Sequence, residues 1–455
     1  MDKLKSVFLH LYFRHINFMN TLIQISQFVF IISILVILHE LGHFIPAKLF
    51  KTKVEKFYLF FDYKFSLFKK KIGDTVYGIG WIPFGGYVKI AGMIDESMDK
   101  EQMKLPPKPW EFRSKPAWQR LIIMIGGVTV NFFLAWFIYS SLLIYKGEEF
   151  IDNSKLEYGV YVDSIGRQIG LKNGDKIVSI DSKKIEKFGD VILGILLGDQ
   201  ITVLRDNKEQ KLVLTDDHKK IILENRGQFV LPAFPAKIDT ILPNSVASKA
   251  SLQKGDLVVR INNTPIKYWY DLSETIGKHK KDSLLLSINR NNKLIKVAVF
   301  VPESARIGIA PDTDVLNTFT TTKKYSFVES IPKGLQQTVD VLVKQVRQFK
   351  LFNGKAQGYK HVSGPIGIVK MMPSSWDWNF IWNFTAMFSV WLAFLNLLPI
   401  PALDGGHIVF LLYEMISGRK PTEKVMEIAQ IAGFIIIMSL MALVFGSDIY
   451  HLIFG

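Results

Sequence analysis

Two histidines and a glutamate stand where an apolar segment of the sequence ends. Residues 31–44 read IISILVILHELGHF, so His39 and His43 are four positions apart and Glu40 follows the first of them. On a helix this spacing puts both imidazoles on one side, where they can bind one metal ion. Glu40 is then placed to take a proton from an attacking water molecule. The pattern predicts a zinc site of the hydrolytic type.

The surroundings of this motif favour a real site over a chance match. His-Glu-x-x-His is a short pattern, and in a soluble amphipathic helix it is accidental about as often as it is functional. Here the uncharged stretch from Leu22 to Leu38 leads directly into it. Ionisable groups inside a bilayer are costly and are by default functional or paired. We therefore expect the metal site to lie inside a membrane or at its rim.

A candidate for the third metal ligand follows the third apolar segment, where residues 396–407 read NLLPIPALDGGH. Pro399 and Pro401 stop regular helix, and non-helical chain at membrane depth requires protein or a water-filled cavity around it. Asp404 needs a partner there, and the metal held by the two histidines is the best one available. Three protein ligands leave a fourth tetrahedral position open. The simpler alternative is that Asp404 only caps the next helix. His407 is a candidate fourth group at the metal, but we expect it instead to hydrogen-bond nearby.

The composition indicates a membrane protein. Of the 455 residues, 49% are hydrophobic, and they collect in a few segments as membrane spans do. The net charge of +15 fits attraction to anionic lipid, because no nucleic-acid motif accompanies it. The lack of cysteine excludes disulfides and thiolate metal sites. No small-residue cleavage site follows the first apolar run, so we expect it to be retained as a span.

The region between the second and third apolar segments contains an internal repeat. Residues 171–181 (LKNGDKIVSID) align with residues 252–262 (LQKGDLVVRIN). Each Gly-Asp predicts a turn and each apolar run after it predicts a strand, so we expect two copies of one β-rich module. The repeated string resembles the PDZ domains of bacterial envelope proteases. Such a domain binds an extended peptide as an added strand, and a spacer with an empty groove is the alternative.

Two further regions carry a secondary-structure signal. Residues 54–90 predict extended hairpins, and the recurring glycines indicate either the close approach of another backbone or a glycine-rich surface hairpin. Residues 323–349 predict a basic amphipathic helix that lies along a membrane surface.

Together these motifs resemble the site-2 protease family of intramembrane zinc metalloproteases. The resemblance rests on HELGH, on Asn396 with the two prolines and Leu-Asp-Gly at 403–405, and on the paired PDZ-like modules. The stretches GIGWIPFGGYVK at 78–89, Asn131-Phe132 and VSGPIG at 362–367 are also similar to the family. The chain departs from it at residues 126–128, where Gly-Gly-Val replaces a more usual Ala-Gly-Pro, and in its long start before Leu22.

The resemblance implies regulated intramembrane proteolysis. The substrates would be single-span membrane proteins of the anti-sigma-factor type, or remnant signal peptides, after another protease has trimmed their external domain. It also implies that His39, His43 and Asp404 hold Zn²⁺, that Glu40 activates water and that Asn396 aligns the substrate. The other implied substrate contacts are Pro399, Pro401, Gly78, Gly80, Gly85 and Gly86. The PDZ pair would exclude substrates that still carry bulky domains.

We therefore predict a polytopic α-helical membrane protein with four transmembrane helices, a membrane-associated β-hairpin region and two tandem β-rich PDZ domains. The expected segments are a lead-in (1–21), the first span (22–45), the hairpin region (46–119), the second span (120–146), two PDZ domains (147–232 and 233–312), interfacial helices (313–379), the third span (380–398), an Asp-Gly loop with a short helix (399–426), the fourth span (427–448) and a tail (449–455).

The basic residues predict the orientation in a bacterial cytoplasmic (inner) membrane. The short loops after the first and third spans are rich in lysine and arginine, so the positive-inside rule puts both in the cytoplasm. The PDZ pair would then be periplasmic, and the active site would open towards the cytoplasm. The expected partners are membrane-protein substrates, the lipid bilayer and PDZ ligands, but no nucleic acid. A catalytically silent PDZ-containing membrane adaptor is the alternative function.

Overall fold

The computed structural model describes residues 2–93, 106–225, 229–312, 314–351, 357–358, 362 and 364–454. Its helices are α1 (Asp2–Leu49), α2 (Ala117–Tyr145), α3 (Ser164–Gln168), α4 (Val191–Leu197), α5 (Asp216–Asn225), α6 (Val246–Lys249), α7 (Trp269–Lys278), α8 (Asp314–Phe319), α9 (Phe327–Gln348), α10 (Pro365–Met371), α11 (Trp378–Leu397), α12 (Asp404–Ser417) and α13 (Glu423–Phe454).

The strands are β1 (Val54–Phe61), β2 (Phe68–Ile72), β3 (Thr75–Ile79), β4 (Ile82–Ile90), β5 (Glu148–Ile151), β6 (Val160–Val162), β7 (Lys176–Ile180), β8 (Lys183–Lys184), β9 (Gln200–Arg205), β10 (Lys208–Val213), β11 (Val230–Pro232), β12 (Ile238–Ile241), β13 (Leu257–Ile261), β14 (Thr264–Pro265), β15 (Ser283–Arg290), β16 (Lys293–Phe300), β17 (Ile309–Pro311) and β18 (Thr320–Lys323). The chain forms two compact units. The first comprises residues 1–146, 325–346 and 362–455, and the second comprises residues 147–324 and 347–361.

Four helices of the first unit are long and apolar enough to cross a membrane, as predicted. They are Phe18–Leu49 in α1, Ala117–Tyr145, Trp378–Leu397 and Lys424–Tyr450 in α13. Only 17%, 39%, 39% and 11% of their respective apolar windows are buried inside the protein. Apolar surface exposed to this extent needs lipid around it. Helix α1 runs without a break through residue 21, so the predicted lead-in is not a separate element.

Helices α1 and α2 touch through their backbones beside the histidine motif. A Cβ atom added to Gly42 would lie 2.6 Å from the carbonyl carbon of Gly126, and one added to Gly126 would overlap the carbonyl oxygen of Gly42. Small residues at a helix crossing permit such close contact in membranes. The glycine at 126 therefore brings α2 directly against the part of α1 that carries the motif.

Strands β1–β4 form one sheet in the order β2-β3-β1-β4. Strands β2 and β3 form an antiparallel hairpin within the region predicted to contain hairpins, although Lys69–Lys71, expected in a turn, lie in β2. Strand β3 also pairs in parallel with β1, which the local pattern did not predict. Backbones approach closely at the glycines, since a Cβ atom on Gly86 would lie 2.6 Å from the carbonyl oxygen of Tyr58. Strand β4 stands at the end of the order, so its outer edge is not paired with a strand in the described part of the chain.

Helix α9 occupies part of the segment predicted to be amphipathic. Its buried residues are small or polar, among them Ser330, Gly334 and Thr338, and a Cβ atom on Gly334 would lie 2.7 Å from the backbone nitrogen of Ser140 in α2. Four of its valines are exposed, namely Val328, Val339, Val343 and Val346, and Val328 is 76% exposed. The helix thus packs on α2 through its small residues, and Val341 and Leu342 add apolar contacts, while these four valines are left exposed by the described residues.

The second unit contains the predicted repeat of a β-rich module. Its two four-stranded sheets have the orders β10-β9-β7-β8 and β14-β13-β15-β16, and each is accompanied by a two-stranded sheet, β11-β6 or β12-β17. Each module encloses its own core of aliphatic and aromatic side chains. The repeat therefore extends from the sequence to the strand order.

An arginine completes the Gly-Asp turn in each module. Arg205 donates from Nε and Nη2 to the two carboxylate oxygens of Asp175, both at 2.7 Å. Arg290 donates to Asp256 in the same way at 2.6 and 2.7 Å. These are bidentate pairs, the strongest kind of side-chain ion pair, and both aspartates are buried. Neither arginine lies within the repeated string, so the alignment of the two copies did not predict these ion pairs.

The two modules contact each other through aromatic residues. The hydroxyl of Tyr161 donates to Glu274 at 2.9 Å, and its ring stacks on Tyr270 with 4.7 Å between the ring centres. Burial, together with the carboxylate of Glu274, raises the pKa of Tyr161 to about 12. The hydroxyl therefore keeps its proton at neutral pH and holds this contact.

Candidate active site

Three side chains from distant parts of the sequence converge within the first unit. Nε2 of His39 lies 3.3 Å from Nε2 of His43, and Oδ2 of Asp404 lies 3.4 Å and 3.2 Å from these two nitrogens. The two histidines are buried on α1, and Asp404 begins α12 after the non-helical segment that follows α11. The triangle is close to equilateral.

The dimensions and chemistry of this triangle fit a zinc ion. Ligand atoms held about 2.0–2.1 Å from a tetrahedral ion lie about 3.3–3.4 Å from one another. Oδ2 of Asp404 is buried and has no hydrogen-bond partner among the described residues. A cation bound between the three atoms would compensate this buried carboxylate oxygen. Two imidazoles and a carboxylate are a donor set that zinc accepts.

Neighbouring groups orient the two histidines of the triangle. Nδ1 of His43 lies 2.8 Å from the carbonyl oxygen of Ile123 in α2, which can only accept, so this nitrogen donates and Nε2 is left free to bind metal. Nδ2 of Asn396, at the end of α11, lies 3.3 Å from Nε2 of His39. Asn131 of α2 lies against the other ring nitrogen of His39.

The triangle opens into a cavity of about 590 Å³. Glu40 lines this cavity together with the histidines, and residues 86–90 of β4 form one of its walls. The main-chain N–H of Val88 is directed at the carboxylate of Glu40. The other walls include Leu403, His407 and Gln430. The outer edge of β4 therefore faces the metal ligands across the cavity.

The structure brings some of the predicted site residues together and not others. Glu40, Gly86 and the three ligands line the cavity, and Asn396 touches His39. The predicted substrate contacts that are not among the lining residues are Gly78, Gly80, Gly85, Pro399 and Pro401. Gly78 and Gly80 instead pack inside their own sheet, and the backbone of Pro401 is packed against Gly406.

Two glycines and a glutamine lie near the site although the sequence did not predict a role for them there. A Cβ atom on Gly127 would lie 2.7 Å from Cε1 of His39, and one on Gly433 of α13 would overlap the carbonyl oxygen of Pro401. Gln430, one turn before Gly433, is buried and lines the cavity. The only signal in the sequence was the presence of small or uncharged polar residues inside apolar spans.

A buried His-His-Asp triangle beside a glutamate, set among four helices suited to a membrane, defines a membrane-embedded metallohydrolase. The sequence profile of peptidase family M50 matches residues 27–440. The chain therefore belongs to peptidase family M50, and it is a zinc metalloprotease of the site-2 type.

Individual relatives match along almost their whole length. The regulator of sigma E protease of Haemophilus influenzae is 28% identical over 461 residues, which cover 95% of this chain and 100% of the relative. The regulator of sigma-E protease RseP of Escherichia coli is 27% identical over 460 residues, with 94% and 99% covered. A Vibrio cholerae protein named as a zinc metalloprotease is 29% identical over 458 residues, with 93% and 98% covered.

Proposed function

We propose that this protein cleaves single-span membrane proteins within or beside the bilayer, with His39, His43 and Asp404 as its zinc ligands. The observation that carries the proposal is the 3.2–3.4 Å spacing of the three ligand atoms in a cavity that also holds Glu40. Zinc bound there supplies a Lewis acid that polarises the scissile carbonyl and acidifies water. Glu40 takes the proton from the attacking water and passes it to the leaving amine.

The outer edge of β4 is proposed to hold the substrate in an extended form. A transmembrane helix hides its carbonyl groups in internal hydrogen bonds, so it must be unwound before water can attack one of them. An unpaired strand edge offers main-chain donors and acceptors to such a segment. Gly86 and Asn396 are the proposed contacts with the substrate backbone. The remaining predicted contacts would act through the shape of the β1–β4 sheet (Gly78, Gly80 and Gly85) and of the 398–403 loop (Pro399 and Pro401).

The two β-rich modules, with proposed bounds 147–232 and 233–312, are proposed to be PDZ domains that exclude substrates with bulky external domains. Their repeated strand order supports this proposal. The substrates would be anti-sigma-factor-like proteins or remnant signal peptides already trimmed by another protease. The names of the relatives that regulate sigma E support the first class. We also propose that the protein lies in a bacterial cytoplasmic (inner) membrane. The modules would then be periplasmic, and the active site would open towards the cytoplasm.

Metal content and cleavage measured on the same detergent-purified preparations test the proposed mechanism. Wild type should hold one zinc ion per chain and cleave a model single-span substrate. Glu40→Gln should keep its zinc but cleave about 10²–10⁴-fold more slowly, because it lacks the general base. Asp404→Ala should lose both zinc and cleavage. Asp340→Ala removes an exposed carboxylate of α9 and serves as the matched control, which should behave as wild type.

Two results would contradict the proposal. Full cleavage by Glu40→Gln would remove the assigned role of the glutamate. Wild type that binds no zinc when zinc is supplied and cleaves nothing would favour the membrane adaptor instead.

A further inference from the structure

Asn131 is a fully buried amide in the middle of the membrane helix α2. Its Nδ2 lies 3.1 Å from Nδ1 of His39, while its Oδ1 has no hydrogen-bond partner among the described residues. Gly127, one helical turn earlier, lies against the same ring, since a Cβ atom there would be 2.9 Å from Nδ1 of His39. One face of α2 thus supports His39 at two successive turns, and of these two residues Asn131 is the one that offers a polar side chain.

The position of His39 decides which of its ring nitrogens carries hydrogen. Nε2 is the atom that meets His43 and Asp404, so it is the ligand atom and has no hydrogen. In a neutral imidazole the hydrogen is then on Nδ1, which must donate. His43 has the same arrangement, because its Nδ1 donates to a backbone carbonyl at 2.8 Å. His39 therefore needs an acceptor where the NH₂ group of Asn131 now faces it.

A half-turn of the amide about its Cβ–Cγ bond supplies that acceptor. The oxygen and nitrogen of an asparagine amide are nearly equal in size, so the half-turn exchanges them without moving the helix. It gives up no hydrogen bond on the other side, because Oδ1 has no partner there among the described residues. The backbone at this position is held in place, since Ser389 Oγ of α11 donates to the main-chain oxygen of Asn131 at 2.7 Å.

We infer that Oδ1 of Asn131 accepts a hydrogen bond from Nδ1 of zinc-bound His39, so that Asn131 is a positioning residue for the metal site. The inference rests on the proposed zinc ligation by His39. A partner of this kind fixes the tautomer and the ring orientation of a histidine ligand, and its loss typically weakens metal binding by about 10–100-fold. Asn131 is therefore expected to act on zinc affinity itself.

Zinc affinity of the metal-free, full-length protein in detergent, measured by competition with a chromophoric chelator, tests the inference. Asn131→Leu keeps the size of the side chain but removes the acceptor, and it should bind zinc about 10–100-fold more weakly than wild type. Asn131→Asp offers only acceptors and should bind at least as tightly as wild type. Thr129→Val is the control on the same helix. This exposed hydroxyl donates to the carbonyl oxygen of Ile125 within α2, so the zinc affinity of the variant should not change.

The outcomes separate this inference from the proposed function. If Asn131→Leu binds zinc as tightly as wild type while His39→Ala binds it weakly, the zinc site stands and the inference is wrong. If Asn131→Asp is as weak as Asn131→Leu at unchanged thermal stability, the donor is what matters and the inference is again wrong. If His39→Ala binds zinc like wild type, both the proposed site and the inference fail. Should the leucine variant not fold, the comparison of wild type with Asn131→Asp still decides.

Discussion

Gly127 is the point at which both histidine rings rest on the backbone of a neighbouring helix. A Cβ atom there would lie 2.7 Å from Cε1 of His39 and would overlap Nε2 of His43. Gly127→Ala should therefore displace both ligands and lower cleavage about 100-fold, the usual effect of a misplacement of about 1 Å in an active site. Cleavage of a single-span substrate and zinc content measure the effect.

Gly446→Ala in α13 is the matched control for this substitution. A Cβ atom at Gly446 has no neighbour within 4 Å among the described residues, so the variant should cleave as wild type. Equal cleavage by the two alanine variants would show that the position of the histidine rings does not depend on the absence of a side chain at Gly127.

The residues that could be predicted are those whose chemistry is visible in their own side chains. His39, His43 and Glu40 share one helical turn, and Asp404 is a charge in an apolar setting, so each carried its own signal. Gly127 acts through the absence of a side chain, and its importance depends on which face of α2 meets α1. The role of Asn131 is equally dependent on packing, because a lone asparagine in a span also serves as a helix contact.

The paired Asp175 and Arg205 should control the stability of the first β-rich module. Asp175 is 1% exposed and Arg205 14% exposed, so removing the charge of the aspartate leaves a largely buried arginine without its partner. Asp175→Asn should cost about 3 kcal/mol of the free energy of unfolding, the lower end of the range for a buried pair. Limited proteolysis of the full-length protein at rising temperature, with the cleavage sites identified, measures where unfolding begins.

A surface pair in the same unit provides the control for this loss of charge. Lys281 and Glu303 form an ion pair in which both side chains are about two-thirds or more exposed, so Glu303→Gln should change little. Identical proteolysis profiles for Asp175→Asn and Glu303→Gln would contradict a structural role for the buried pair.

Among the elements, those set by local pattern were predictable and those set by distant partners were not. The membrane helices followed from the length of the apolar runs, and the strands β7 and β13 from the Gly-Asp turns before them. The parallel pairing of β1 with β3 joins strands that are separated by another strand, so no local signal specifies it. The ion pairs of Arg205 and Arg290 were not predicted for a similar reason, because each arginine lies on a strand outside the repeated string and binds an aspartate inside it.

At the scale of the molecule, the proposed metal site forms only when α1, α2, α11 and α12 are packed together. Asp404 starts α12, and the same helix is tied to α2 farther along by Arg120, whose Nη2 donates to Glu414 at 2.5 Å. Both members of this pair are largely buried. The aspartate that completes the triangle is therefore positioned by contacts at both ends of its helix, because its near end meets the histidines and its far end meets α2.

The direction in which this packed unit sits in the membrane decides from which side a substrate reaches the cavity. Lysines are abundant in the short stretch after α1, where β2 alone contributes Lys69, Lys70 and Lys71, all exposed. The second unit is basic as well, so total charge does not settle the orientation. The positive-inside rule counts short loops and discounts long domains, and it predicts that β2 and the α12–α13 connection lie in the cytoplasm.

Single-cysteine labelling tests this orientation without interference, because the sequence contains no cysteine. Asp74→Cys lies in the exposed β2–β3 turn and Ser417→Cys at the end of α12, and neither change removes a lysine or an arginine. Both should react with a membrane-impermeant maleimide only after intact spheroplasts are permeabilised. Ser283→Cys, exposed on β15, should react before permeabilisation. Equal protection of all three cysteines would place the β-rich modules on the same side as β2, and a role for these modules in screening external domains would then be untenable.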